Sequence, residues 1–588
     1  MEYPTLSVKA KSREMADAFR GYNHNLRIGD NEFYDMKNMT SDYYPVLAPR
    51  GRRGVYKNGV TATGMIAKDQ LCYVDGTAFV VGERKVEMGL SAEPKQLISM
   101  GAYVIILPDE KYVNTMDLED HGSMGTSVHV SDVRIRNCDI NGDFYDFKYM
   151  GYTSPAEPED NDLWLDTSGE IPVVKRYSAT NIMWSEVSRT YCKIEATGIG
   201  KEFKQYDGVT ISGIGAHAAP YDTLNGDAVI YGCSDDCIIV EGMIMIIKAG
   251  TDGEGPHMPF VDLTVERKIP KMDFIIESNN RLWGCRYGKN REGVVVNEIY
   301  ACKQGDFKNW NCFMGLSTDS YSVSCGTDGP FTGAITHLGY PLFFKETCVH
   351  KVYGDYPSNY RVQNTSCRGV QHGSHCSLAV VNETLYYKAG NAVCAYDGSL
   401  PVEMSSALGE TRYSNAVAGA HGNKYYIDMK TADGEYHLFV YDTAKGMWHK
   451  EDNLRVDQFC SYQNGLYGID HDTKQIIAMV GTETQDGEKV PWMVETGLMG
   501  MDMPDMKYIS RLLMRMSLEV GARVAVSIQY DSMGAWEPVC NMTVTSLRNF
   551  AVPVRLRRCD HFRIRIEGEG EGRIYSITKT IEKGSDLS

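Results

Sequence analysis

The sequence has no apolar run long enough to cross a bilayer. Its most apolar stretch, Cys237 to Ile247, is interrupted by Glu241 and Gly242, whereas a spanning helix needs about 20 predominantly apolar residues. Met1-Glu2-Tyr3-Pro4-Thr5 lacks the charged stretch and apolar run of a secretory leader. Membrane insertion is therefore not expected, and synthesis in a cytoplasm is. No C-x-x-C occurs; the nearest cysteines are Cys233 and Cys237. Sixteen cysteines over 588 residues are too sparse for a disulfide scaffold and fit reduced thiols. Phosphate loops are missing as well: Gly198-Ile199-Gly200 and Gly213-Ile214-Gly215 extend into neither a G-x-G-x-x-G helix start nor a Walker pattern. There is no G-x-S-x-G elbow and no H-E-x-x-H. Positive charge is short too. A net charge of −17 excludes a general nucleic-acid coat, which needs Lys and Arg to displace counterions, although a local basic ring can still line a DNA passage.

What is present is 43% hydrophobic residues, 57 glycines and 37 tyrosines. That composition supports real cores and favours short strands joined by tight turns. The length points to two to four domains. Residues 1–60 are polar and irregular, with Pro45, Pro49 and several aromatics between Glu32 and Arg50, and read as an extended arm packed on another surface. From about residue 60 a unit recurs: a β-rich run, a Gly/Asn/Asp turn, and a second run. Gln70 to Val81, turning at Asp75-Gly76, is the clearest hairpin. From Tyr340 the hairpins return about every 40–45 residues, the spacing of four-stranded propeller blades. The period breaks between about 119 and 270, where Thr153 to Asp160 has the composition of a linker. From Tyr508 the style changes again, and Phe562-Arg563-Ile564-Arg565-Ile566-Glu567 alternates as a half-buried strand does. The expected fold is all-β: a β-propeller in two parts (61–144 and 269–490), an inserted β domain (145–268) and a C-terminal β-sandwich (491–588), preceded by the arm.

Candidate chemistry is thin. Asp531-Ser532-Met533-Gly534-Ala535-Trp536 reads as a turn. His372-Gly373-Ser374-His375-Cys376 contains zinc-type donors but no second matched cluster. Asp235 and Asp236 lack a calcium-loop pattern around them. The basic run Arg555-Leu556-Arg557-Arg558, with Arg563 and Arg565, reads as a solvated sheet face paired with Glu, and otherwise as a surface for an acidic protein or a DNA lumen. No cofactor and no metal are expected. Neither is catalysis, although propeller active sites are assembled from distant loops and leave no local motif.

The order of features resembles the packaged-DNA stabilisation proteins, the tail hub or nozzle proteins of short-tailed bacteriophages. The segments that carry the resemblance are Tyr34 to Met39, Tyr44 to Leu47 with Arg50-Gly51, Arg281-Leu282-Trp283 through Gly305 to Trp310, Cys367 to Val370, and Val440-Tyr441-Asp442 with Trp448. Asp162-Leu163-Trp164-Leu165-Asp166-Thr167-Ser168, within the insertion, looks like small modules in tail proteins of phages infecting Gram-positive bacteria. The resemblance implies a structural virion protein of the tail, made in the host cytoplasm. It implies a cyclic homo-oligomer, a hexamer, that joins other tail proteins and gates or retains DNA passing through its lumen. Two alternatives stand beside it. One is a tail-tip or baseplate protein reading a host surface glycan through Trp164 and Trp184. The other is a propeller glycosidase, which needs two carboxylates about 5–10 Å apart. Phe33, Tyr34, Tyr43, Tyr44 and Leu47 are the candidate assembly contacts, because the arm's apolar side chains need a surface from a neighbouring subunit or from the chain's own propeller.

Overall fold

Gly and Asn residues in the left-handed region, such as Gly76 (φ 59°) and Asn382 (φ 48°), turn the chain after nearly every short apolar run. In the computed structural model the result is strand after strand with no α-helix among the described residues, which are 11–169, 172–214, 224–244, 258–480, 489–543 and 546–584. Met1–Thr5 and Gly215 of the sequence reading lie outside them.

Seven four-stranded antiparallel sheets form the blades of a propeller. Their innermost strands are Ala62–Ala67, Gln96–Met100, Phe274–Ser278, Gly333–His337, Ala379–Val381, Tyr413–His421 and Val456–Tyr462. They follow one another around a ring, with the 3₁₀ turn His375–Ser377 bridging the fourth and sixth blades' inner strands. The seventh blade takes its outer strand from the other end of the propeller sequence. Gly54–Lys57 pairs with Ile476–Val480, Val55 opposite Ile477. This closes the circle and leaves no gap for the first blade to peel from. Apolar side chains fill each seam between blades: Val74, Phe79, Val104 and Ile106 between the first two, Leu342, Phe344, Leu385 and Tyr387 between the fourth and fifth.

The insertion leaves after the second blade. Six strands close a barrel in the order Thr126–Cys138, Tyr191–Glu195, Cys237–Glu241, Gly226–Ser234, Gly208–Ser212, Met258–Arg267. Between the first two of these, a separate four-stranded sheet is built from Phe147–Gly151, Leu163–Asp166, Val173–Ser178 and Met183–Glu186. The boundary expected at 145 is therefore corrected to 126. The thirteen-residue strand Thr126–Cys138 belongs to the barrel, and it carries no turn signal to mark the departure. Thr153–Asp160 is a loop inside the small sheet and not a link between domains.

The C-terminal part is two facing sheets. One contains Lys507–Leu518, Arg548–Val552 and Gly572–Lys583; the other contains Pro491–Thr496, Arg523–Tyr530, Glu537–Met542 and Phe562–Glu569. Phe562, Ile564 and Ile566 point into a shared core with Val494, Leu512, Met514 and Val526, while Arg563 and Arg565 face outward onto Glu495 at 3.1 and 2.8 Å. The expected arm packs within its own chain. Lys11–Ala16 forms the edge of the first sheet, Lys11 opposite Glu582, and Phe33–Lys37 forms the edge of the second, Phe33 opposite Thr496. Residues 11–57 are thus a strap that supplies one edge strand to each face of the sandwich and then the outer strand of the closing blade.

Candidate functional site

The strap decides what the proposed assembly residues can do. Phe33 is 0% exposed, in one core with Phe19, Trp448 and Trp492. Leu47 is buried and exchanges backbone hydrogen bonds with Ile574 at 3.0 and 2.9 Å. Both side chains are consumed within the chain. Tyr34 is half-buried, stacked on His24 at 4.1 Å with the Arg563 guanidinium 4.7 Å from its ring. Only Tyr43 and Tyr44 remain open, 44% and 42% exposed, and Arg573 lies 4.4 Å from the Tyr43 ring.

Four charges lock the strap onto the sixth blade. Arg53 pairs with Glu451 at 2.5 Å and Asp452 at 2.8 Å, and Arg50 reaches Asp452 at 3.2 Å while its Nε donates to Asn38. Burial pushes the Asp452 carboxyl up, but Arg53 and Arg50 outweigh it and hold the group below its usual range. Side-chain amides and hydroxyls then tie the inner strands to one another. Gln458 both accepts from Met65 N–H and donates to Met65 C=O at 2.9 Å, across the closing seam. Gln96 donates to Ile275 C=O at 2.7 Å between the second and third blades. Ser374, from the His372–Cys376 segment, accepts from Ala416 N–H at 3.0 Å between the fifth and sixth. That segment thus has a structural task. Among the described residues no cluster of His, Cys, Asp and Glu is arranged to hold a metal ion.

Two acidic groups near the start of the seventh inner strand differ sharply. Burial pushes the Asp428 carboxyl up to about 7. One of its oxygens accepts from Val456 N–H at 3.0 Å and the other is buried without a partner. Asp457 is half-buried; burial raises it, but hydrogen bonds from Lys474 at 2.5 Å and His471 at 2.6 Å prevail and keep it low. Asp428, at 1% exposure, is sealed into the seam between two blades. Its unusual proton affinity is a property of packing that reaches no open surface, and nothing in the sequence marked it.

On the small sheet of the insertion, strand pairing places Tyr149, Trp164, Lys175, Tyr177 and Trp184 on one face. Trp164 is only 5% exposed, and its indole donates to Gly151 C=O at 3.1 Å. It is the floor of the cluster and is not open for contact. Trp184 is half-buried above it, at 5.5 Å from Trp164, 5.3 Å from Tyr177 and 6.2 Å from Tyr149. The structure therefore brings the two tryptophans together and separates their roles. The tyrosines beside them were missed because their register partners cannot be read from one strand alone.

No family model matches the chain, and no curated protein does. Among solved structures, an exo-beta-1,3-galactanase from Phanerochaete chrysosporium is similar over 51% of this chain and 95% of its own, at 9% identity and a TM-score of 0.22. A glycoside hydrolase is similar over 51% and 96%, at 10% identity and a TM-score of 0.19. Trypanosoma rangeli sialidase covers 92% and 97%, at 8% identity and a TM-score of 0.18. The expectation that the chain is not an enzyme is corrected by these neighbours, which are glycoside hydrolases; the lack of a sequence motif excludes no catalysis in an architecture of this kind.

Proposed function

We propose that this chain is a structural subunit of a bacteriophage tail, a hub or nozzle that assembles with copies of itself into a six-membered ring, joins other tail proteins, and gates or retains DNA passing along the axis. One observation supports this reading above others: residues 11–57 place an edge strand in each sheet of the sandwich and in the closing blade, so that sandwich and propeller form a single stiff body. A subunit that transmits force around an axis needs modules that do not slide. The order of features in the sequence supports the same role, from the Tyr34–Leu47 segment to the terminal sandwich. The barrel and small sheet stand outside the propeller circle and carry exposed apolar side chains, Ile140, Met150, Tyr152, Ile182 and Met183, suited to contacts with neighbouring proteins. Copies around an axis meet through two different surfaces whose rotation closes. The test is the mass of the purified chain by light scattering over a concentration series. A discrete species of six times 65.8 kDa is expected; a monomer at every concentration, together with absence from purified tails, contradicts the proposal.

A further inference from the structure

The sandwich sheet that contains Lys507–Leu518 and Gly572–Lys583 turns one face to the core and the other to solvent, and nothing within the chain gives the outer face a task. Strand register fixes what that face presents. Arg13, Thr580 and Arg511 stand abreast on three adjacent strands, so the two arginines are two strand spacings apart, about 10 Å. The next row is Met15, Thr578, Leu513 and Ala551, with Met15 61% exposed. Arg515 lies beyond that row, its Nε donating to Asn549 at 3.1 Å. Arg13, Arg511 and Arg515 are exposed, and none of them has a carboxylate partner among the described residues. The carboxylate that shares these outer positions, Glu582, is already held by Lys11 and by the Tyr508 hydroxyl, both at 2.9 Å. On a chain of net charge −17, this is a cationic rim around an apolar row, the composition of a protein interface.

Two classes of partner fit the charge, a nucleic acid and an acidic protein surface, and the apolar row separates them. A phosphate backbone would engage the arginines but set charged oxygens against Met15 and Leu513. A protein covers them with apolar side chains of its own. The chain itself carries the complement, on the small sheet of the insertion. The loop that follows Phe147–Gly151 bears Glu157, Glu159 and Asp160, with Asp162 at its end. The nearby cation Lys148 pairs with Glu159 and Asp162, at 3.0 Å each. Glu157 makes no ion pair among the described residues, and the Asp160 carboxylate accepts from Ala179 N–H at 2.8 Å. Beside these carboxylates Met150 is 56% and Tyr152 77% exposed. Both surfaces are open in the single chain, so neither covers the other within it. They lie on different modules, as the two halves of a contact that repeats around an axis must. We propose that the outer face of this sandwich sheet, through Arg13, Arg511, Met15 and Leu513, receives the 152–160 loop from the insertion of a second copy. Unlike charges then meet around a shared apolar centre. The assignment rests on the ring reading and names the contact that builds the ring.

The test uses the full chain and reads self-association by light scattering over a concentration series, in roughly 0.1 M and roughly 1 M salt, where charges act over about 10 Å and about 3 Å. One variant reverses the face, Arg13→Glu with Arg511→Glu. A second reverses the loop, Glu157→Lys with Glu159→Lys. A third carries all four substitutions. Each of the first two should need about tenfold more protein to assemble, or more, because like charges then face each other. The third, and an equal mixture of the first two, should assemble again, because both restore unlike pairs. The parent's association should weaken in the higher salt. If the face variant fails to fold, the loop variant and the salt series decide the matter. Undiminished rings in both reversed variants overturn the assignment and leave the ring reading standing. A parent that is monomeric at every concentration overturns both. Weakening that the third variant does not restore overturns the assignment. So does unchanged assembly together with a short DNA duplex that binds the parent and not the face variant, which would give the face to nucleic acid.

Discussion

Replacing Phe33 with Ala separates a strap folded into its own chain from an arm that waits for a neighbour. Phe33 is 0% exposed; its N–H donates to Gly21 C=O at 2.9 Å, its C=O accepts from Asn23 at 2.8 Å, and its ring packs 5.8 Å from Phe19. Truncating such a ring costs about 3–5 kcal/mol, the lost transfer energy plus the cavity left behind. That is a large share of the roughly 5–15 kcal/mol that holds an ordinary domain. Urea unfolding of the isolated chain reports on it directly, because Trp448 and Trp492 share the core with Phe33. At slopes of about 1–3 kcal/mol per molar urea, the tryptophan transition should move down by at least about 1 M. Tyr44→Ala, at a side chain 42% exposed, should stay within about 0.5 kcal/mol of the parent. An unchanged midpoint for Phe33→Ala, with incorporation into particles lost, would refute the strap and restore the arm.

Arg53→Ala leaves Glu451 and Asp452 largely buried with one fewer cation, and a loss of about 3–5 kcal/mol is expected in the same urea assay; Arg53→Lys, which cannot span both carboxylates, should recover only part of it. Asp428→Asn tests the sealed carboxyl through pH. The folded group titrates at about 7 and an unfolded aspartate near 3.9, so between those values the native state holds the extra proton and stability falls as pH rises. The variant should therefore gain on the parent from about pH 4 to 7 and hold its advantage above, by up to about 4 kcal/mol; a pH-independent difference sinks this reading. Thiol titration should find 16 reactive cysteines in denaturant. In the native protein Cys376 should react slowly although its residue is exposed, since burial of its sulfur pushes the thiol up to about 11.

How far the sequence could be read follows from what each feature depends on. Hairpins are local, and Leu71–Asp75 with Ala78–Val81 announced itself through its own turn. The strand Phe562–Glu569 was legible because one face is buried along its whole length, and alternation records that. The strap was not legible. Lys11–Ala16 pairs with residues Ile577 to Glu582 through backbone groups that any sequence offers, at a separation no local pattern spans. The start of the insertion was hidden by a similar neutrality. Thr126–Cys138 is a bulged strand, its register shifting between Val130 and Val133, and a bulge breaks the alternation that would have marked it. Trp164 and Trp184 were found as residues but not as a site, since which of two tryptophans lies beneath the other is settled only by cross-strand register.

The central claim concerns position in a particle, and imaging whole virions tests it most directly. With the chain labelled at its C-terminus, averaged images of tails should show label in a six-fold ring around the tail axis, with the propellers side by side and the barrels projecting from the ring. Label absent from purified particles, or present at a site with no rotational symmetry about the axis, would contradict the account.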